Sequence, residues 1–147
     1  MVQLGEDANV IFKMIRFVDA DSIVPEVAIA AEMQPRSHGN YLPALDELSE
    51  LFASTPHAQS TNVLFFSDGK PSDKAPKGKG VSSADKILAL ITSKTEAVCR
   101  SQLSTSFRFH TVGFGPDEFT TLQAMAAALP AGVGVFHKAG LSLRSRA

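Results

Sequence analysis

The chain has 147 residues, 44% of them hydrophobic and 20% charged, and its formal net charge is -1. These values are typical of a globular domain with its own core, and they exclude the basic field that attracts nucleic acids or anionic membranes. The single cysteine, Cys99, excludes an internal disulfide framework. No apolar run reaches the roughly 20 residues of a membrane span, and residues 1–10 do not resemble a signal peptide. We therefore expect one cytoplasmic domain over residues 1–147, with neither nucleic acid nor membrane as a partner.

Short apolar runs alternate with helical patterns in the first half of the chain. Residues 8–17 are rich in β-branched and aromatic side chains, which predicts a strand. Residues 22–33 have the pattern of a helix. A second helix is predicted to begin after Asn40, a residue type that caps helices well, and to carry an apolar stripe every three or four residues.

The second half continues the alternation. In chain order we predict a strand at 62–67, an exposed loop at 69–80, a helix at 82–103, a strand at 107–115, a helix at 116–129 and a strand at 132–139. The first of these strands is apolar on both faces, as in the middle of a parallel sheet. Ser82 or Ser83 is expected to cap the longer helix, and Pro116 to open the shorter one. Strands separated by helices predict an α/β fold with a parallel sheet covered on both faces.

Asp68 directly follows the apolar strand at 62–67. Ligands of such sheets gather at the carboxyl ends of the strands, so this carboxylate is a candidate cation ligand. A hard cation such as Mg²⁺ needs several oxygen ligands, and the residues before Asn40 are the nearest candidates to supply them. The alternative is a simple turn, because Asp and Gly commonly follow a strand in that role.

Four segments, in chain order, resemble a von Willebrand factor type A domain: "SHGNYLPALDEL", "NVLFFSDGKPSD", "FRFHTVGFGPDEFTTLQAMA" and "GVFHKA". The resemblance covers about residues 2–136. It implies a doubly wound, Rossmann-like α/β fold, with a mostly parallel sheet and helices on both faces. It also implies a non-enzymatic module that binds proteins through a metal-ion-dependent adhesion site holding Mg²⁺ or Mn²⁺.

The adhesion site of that family has three parts, and this chain matches one of them fully. Asp68 stands where the family has an Asp at the end of its fourth strand. The loop that carries a Thr in the family reads Ser37, His38, Gly39 and Asn40 here, so a glycine replaces the hydroxyl. The Asp-x-Ser-x-Ser part is absent. The resemblance thus implies a partial domain whose first strand and helix lie upstream of the chain, and leaves open whether its C-terminal end is shortened too.

These matches define a degenerate site. We expect Asp68 to be a metal ligand, with Ser37 or Asn40 as weak partners, and binding of Mg²⁺ or Mn²⁺ to be weak or absent. The partner implied is a protein, one that presents an acidic residue to the site. The expected contact residues are Ser37, His38, Gly39, Asn40, Asp68, Gly69 and Lys70.

An enzyme of another class competes with this interpretation. Within residues 14–24 an apolar run is followed by Asp19-Ala20-Asp21, and this stretch resembles the first motif of haloacid dehalogenase-like phosphohydrolases. That resemblance makes Asp19 the nucleophile and Asp21 the general acid/base beside Mg²⁺, with Ser67 binding phosphate. A second acidic pair of the kind such enzymes use is not evident, and short motifs match by chance often.

Two further residues receive structural interpretations. His110 alternates with apolar residues in a predicted strand, which favours a packed or surface histidine. Cys99 falls late in a long amphipathic helix, where a buried small hydrophobe is expected.

Overall fold

The structure is a computed structural model that describes residues 2–3, 9–10, 39–54, 60–75, 82–103 and 106–140. Its elements, in chain order, are β1 (Val2–Gln3), β2 (Asn9–Val10), α1 (Tyr41–Ser54), β3 (Ser60–Ser67), α2 (Ser83–Arg100), β4 (Ser106–Phe114), α3 (Thr120–Ala127) and β5 (Gly134–Ala139). No helix in these ranges is both long and apolar enough to cross a membrane.

The main sheet has three parallel strands in the order β3–β4–β5. Helix α2 connects the first pair and helix α3 the second, as parallel neighbours require a crossover. The chain is therefore an α/β protein, as the sequence predicts, with the features of an incomplete Rossmann-like fold. Strands β1 and β2 form a separate antiparallel pair, in which Val2 lies opposite Val10.

All three described helices contribute to one core on one face of the sheet. Alternate residues of β4 point into it, and Phe107, Phe109 and Thr111 are buried there. The buried apolar cluster contains residues of this sheet face and residues of each helix, including Leu45 of α1 and Ile91 of α2. Burying a large apolar side chain of this kind stabilises the fold by about 1.5–3 kcal/mol. This core fixes the strand ends relative to the helix starts.

The opposite face of the sheet leaves large apolar side chains in solvent. Leu64 is 60% exposed and Phe66 53% exposed, and both lie on β3. This strand was predicted to be central, but it is an edge strand of the sheet that the described residues form. That helices cover both faces of the sheet stays a prediction, because the described helices cover one face.

The predicted start of the last helix is wrong by four residues: α3 begins at Thr120, and Pro116 lies in the preceding bend. Two features hold this stretch outside the helix. Gly115 has φ +100°, a left-handed conformation that ends the strand sharply. The ring of Phe119 is buried against Gly113, where a Cβ atom would lie 2.5 Å from the ring. The packing of Phe119 thus outweighs the tendency of Pro116 to begin a helix.

Other boundaries follow the sequence closely. Ser82 caps α2, as expected: its hydroxyl oxygen accepts a hydrogen bond from the Asp85 backbone N–H at 3.1 Å. Cys99 is fully buried, and burial raises the pKa of its thiol to about 12. The predicted strand at 8–17 is described only at Asn9–Val10. The predicted helix at 22–33 lies outside the described residues.

Candidate functional site

The loop after β3 and the loop before α1 meet at the carboxyl end of the sheet. The Ser72 backbone N–H donates a 3.0 Å hydrogen bond to the Gly39 carbonyl oxygen. Asp68 is the first residue after β3, so Gly39 and Asp68 belong to the same edge. The structure therefore brings together two of the segments that the sequence predicts to share a site.

Tyr41 links the start of α1 to the strand end beneath Asp68. Its side chain is fully buried, with its hydroxyl 2.6 Å from Ser67 Oγ and 2.8 Å from the Gly69 carbonyl oxygen. A hydroxyl has one proton, so it donates to the carbonyl and accepts from the serine. The Gly69 N–H in turn donates to Ser67 Oγ at 3.3 Å. This closed ring of hydrogen bonds fixes the backbone on both sides of Asp68.

Burial raises the pKa of Tyr41 to about 12. The carboxylates of Asp68 and Asp73 act in the same direction, because a nearby negative charge disfavours the tyrosinate. The hydrogen bond with Ser67 lowers the pKa and only partly offsets these effects. The neutral phenol therefore persists well above neutral pH, and Tyr41 is a structural residue of the site.

Asp73 caps helix α1 from another part of the chain. Its Oδ2 accepts a hydrogen bond from the Tyr41 backbone N–H at 2.7 Å, and its Oδ1 accepts one from the Leu42 N–H at 3.0 Å. The sequence predicts Asn40 in this role, but these two donors are bonded to Asp73. The second aspartate of the "SDGKPSD" stretch thus joins the two loops.

Asp68 differs from these residues because it is exposed. Among the described residues, no hydrogen bond or ion pair engages its carboxylate. The neighbouring Gly69 is buried against Asp117, where a Cβ atom would lie 2.9 Å from Oδ2 of that residue. Asp117 is an exposed carboxylate at this edge that sequence reasoning did not single out. The β4–α3 bend brings it there, and no sequence motif signals that approach.

The candidate metal ligands at this edge are only partly described. No group of three or more His, Cys, Asp or Glu side chains that could hold a metal ion occurs within the described ranges. Gly39 is half-buried and offers only backbone atoms, while Asn40 is half-buried at the start of α1. Ser37 and His38 lie outside the described residues, as do Asp19 and Asp21. Weak or absent Mg²⁺ binding therefore stays a prediction.

A cavity of about 390 Å³ opens beside this edge, between the starts of α2 and α3. Lys70 lies on its rim, and its Nζ is 4.0 Å from an oxygen of Glu118. Both side chains are more than 70% exposed, so this ion pair holds them weakly. Lys70 can therefore turn to an incoming acidic group.

Comparison of the sequence with models of known protein families gave no match, and comparison with curated proteins gave none either. The resemblance to the von Willebrand factor type A family therefore rests on the sequence motifs alone.

Proposed function

We propose that this protein is a non-enzymatic protein–protein interaction module of the von Willebrand factor A type, with a degenerate adhesion site. The observation that carries the proposal is the setting of Asp68. Its carboxylate is exposed and engaged by no described group, while the backbone on both sides of it is fixed by buried hydrogen bonds. A charged group presented in this way is poised for an external ligand.

A fixed loop favours binding because little conformational entropy is lost on association. Tyr41 and Asp73 fix this loop, through the hydroxyl of one and the carboxylate of the other. The Tyr41 hydroxyl is buried and makes two hydrogen bonds, and each Asp73 oxygen accepts one from the start of α1, so we assign both groups to holding the loop. The contact surface is therefore formed by the residues around them: Gly39, Asn40, Asp68, Gly69 and Lys70, with Ser37 and His38 preceding them in sequence.

The partner is a protein that presents an acidic residue. In the intact family a bound Mg²⁺ or Mn²⁺ would receive that carboxylate, and here Asp68 would be the chief protein ligand, with weak contributions from Ser37 or Asn40. Because cation affinity follows the number and charge of the oxygen ligands, such an ion is held weakly. Lys70 supplies a positive charge beside Asp68 and can pair with the partner's acid directly.

The phosphohydrolase alternative is less well supported. It needs the Ser67 hydroxyl to bind phosphate, but Ser67 is 7% exposed. Its oxygen is already engaged by Tyr41 and by the Gly69 N–H. Asp19 and Asp21, its proposed catalytic pair, lie outside the described residues.

A comparison of matched variants tests the proposal. The immobilised chain is first used to capture binding proteins from cell extract, and these are identified and purified. Each is then titrated against the wild type, Asp68→Asn and Lys70→Ala. Glu50→Gln and Lys94→Ala remove one charge of each sign from α1 and α2 and are the controls. We expect the first pair to weaken binding by about tenfold or more, or 1.4 kcal/mol, and the controls to leave it unchanged. Equal binding by all four variants would overturn the proposal.

The enzyme alternative has its own test. The chain is incubated with p-nitrophenyl phosphate and Mg²⁺, with Asp19→Asn as the matched variant. We expect no hydrolysis above the level of that variant. Turnover by the wild type that Asp19→Asn abolishes would replace the binding module with a phosphohydrolase.

A further inference from the structure

Two histidines lie side by side on the sheet, although 27 positions separate them in sequence. Nδ1 of His110 is 3.0 Å from Nε2 of His137, and the ring centroids are 5.2 Å apart. His110 belongs to the central strand β4 and His137 to its neighbour β5. In the strand register, His110 lies opposite Val135, and His137 lies opposite Val112. The two rings therefore meet diagonally across one step of the ladder.

The pair is accessible from solvent. His110 is half-buried and His137 exposed. Their rows continue onto β3, where Leu64 lies opposite His110 and Phe66 lies opposite Val112. The pair thus belongs to the sheet face that carries the exposed Leu64 and Phe66, the face away from the helical core. Asp68 follows the end of β3, so the pair is separate from the proposed interaction site.

The spacing of the two nitrogens fits a shared metal ion. Imidazole nitrogens bind such ions as Zn²⁺ at about 2.0–2.1 Å, which puts two ligand nitrogens roughly 2.9 Å apart at a right angle and roughly 3.4 Å apart at a tetrahedral angle. The observed 3.0 Å lies within this range and near its right-angle limit. Right-angle ligand pairs occur in square-planar and octahedral coordination, the geometries of Cu²⁺ and Ni²⁺.

The backbone that carries both rings is held in place, so an ion requires only a turn of the two imidazole rings, which face each other nitrogen to nitrogen in a hydrogen bond. Both strands are held in the parallel ladder, and the core beneath them is fixed by Phe109 and Phe136. The nearest cationic side chain on this face of β4 is Arg108, two residues before His110. His137 lies in the other direction, since it is opposite Val112. The Arg108 guanidinium donates a 2.8 Å hydrogen bond to the Phe107 carbonyl oxygen. Its charge is therefore turned toward the start of the strand.

We propose that His110 and His137 form a two-histidine site for a divalent transition-metal ion, which takes Cu²⁺ or Ni²⁺ in preference to Mg²⁺. Neutral imidazole is a ligand for Cu, Ni and Zn, whereas Mg²⁺ takes oxygen ligands. No third His, Cys, Asp or Glu joins the pair within the described ranges. The remaining coordination positions are open to water or to a ligand from outside the chain.

The test uses the full chain, the double variant H110Q/H137Q and the control H57Q. The protein contains four histidines, and His57 belongs to neither proposed site. Binding of Cu²⁺ and Ni²⁺ is measured by calorimetry in a buffer that does not coordinate metals, and Mg²⁺ is measured in parallel. We expect one ion per chain, Cu²⁺ bound more tightly than Ni²⁺, and no detectable Mg²⁺ binding that depends on either histidine. H110Q/H137Q should weaken Cu²⁺ binding at least about tenfold, and H57Q should not.

A spectroscopic measurement on the wild type makes the test independent of any folding defect in the variants. Electron paramagnetic resonance of the Cu²⁺ form should show hyperfine splitting from two equivalent imidazole nitrogens. Asp68→Ala should leave both the spectrum and the affinity unchanged, which separates this site from the proposed interaction site. Cu²⁺ binding that survives H110Q/H137Q, or a spectrum with fewer than two imidazole nitrogens, would overturn the inference and leave the pair as a hydrogen bond between two histidines.

Discussion

The carboxylate of Asp73 caps the helix that begins at Tyr41, accepting hydrogen bonds from the first two N–H groups of that helix across 32 and 31 positions of sequence. Helix starts leave N–H donors without a partner inside the helix, and an acceptor is usually found in the residue just before the first turn. Here the acceptor comes from the loop after β3. The same contact that stabilises α1 therefore holds the proposed binding loop in place.

Asp73→Ala should lower the free energy of unfolding by about 1–2 kcal/mol, because the helix loses its cap. Asp73→Asn should cost less, since an amide oxygen can still accept one of the two hydrogen bonds. Lys74→Ala changes the exposed next residue and should stay within about 0.5 kcal/mol of the wild type. Urea unfolding followed by circular dichroism measures all three. If Asp73→Ala unfolded at the same urea concentration as the wild type, the cap would contribute nothing to stability.

The chain should lose stability in alkali, and Tyr41 should be one cause. Its folded-state pKa is raised from 10.0 to about 12. Between those values the unfolded chain releases the proton while the folded chain retains it, so unfolding is favoured as pH rises. The stabilisation is complete below pH 10 and is lost by about pH 12, and it amounts to roughly 2–3 kcal/mol. Cys99, with its pKa raised from 9.0 to about 12, adds to the loss from pH 9 upward.

Tyr41 is the only tyrosine and the chain has no tryptophan, so its ionisation can be followed directly. Tyrosinate absorbance near 295 nm should rise well above the pH at which a free tyrosine ionises, together with the loss of helical circular dichroism. In Tyr41→Phe the stability should fall less steeply above pH 10. That variant should also be less stable at neutral pH by about 1–3 kcal/mol, since Ser67 and the Gly69 carbonyl lose a partner. Ionisation near pH 10 in a folded chain would contradict the burial of Tyr41.

The sequence predicts elements better than contacts. Apolar runs and cap signals place β3, β4, β5 and both longer helices to within a few residues, because these signals are local. The start of α3 fails because the fit of Phe119 against Gly113 is a tertiary contact with no local signature. The roles of Asp73 and of the His110–His137 pair were missed for the same reason. Each depends on a register or loop contact that joins residues far apart in the chain.

Gly134→Ala should destabilise the chain by about 1–3 kcal/mol, as overpacking does. A Cβ atom at Gly134 would lie 2.0 Å from the Ala126 carbonyl oxygen, and the clash is with backbone that cannot turn away. Gly140→Ala is the control, since a Cβ atom there would meet nothing within 4 Å. Thermal unfolding of the two variants should separate them clearly. Equal midpoints would mean that α3 and β5 pack less closely than described.

Mg²⁺ and Mn²⁺ should bind no more tightly than about millimolar, because affinity follows ligand number and Asp68 is the only matched ligand with a charge. Gly39→Thr restores the hydroxyl of the family pattern but not its paired serines, so it should not rescue binding. Calorimetry on the wild type, Gly39→Thr and Asp68→Ala checks this. Micromolar binding that Asp68→Ala abolishes would show a functional metal site instead of a degenerate one.

The exposed face of β3 should make the isolated chain prone to association. Leu64 and Phe66 are 60% and 53% exposed, and β3 is an edge strand of the described sheet. An apolar row on an edge strand favours pairing with other chains. We therefore expect the chain to self-associate and to bind the dye ANS.

Leu64→Thr/Phe66→Thr should reduce this association, because threonine keeps the strand preference and removes the apolar surface. Val63→Thr/Phe65→Thr makes a similar change on the core-facing side of the same strand and should unfold the protein, since Phe65 is 9% exposed and belongs to the core. Size-exclusion chromatography and thermal unfolding compare the two. If the unmodified chain is a monomer at the concentrations at which Leu64→Thr/Phe66→Thr is one, the face is not an association surface.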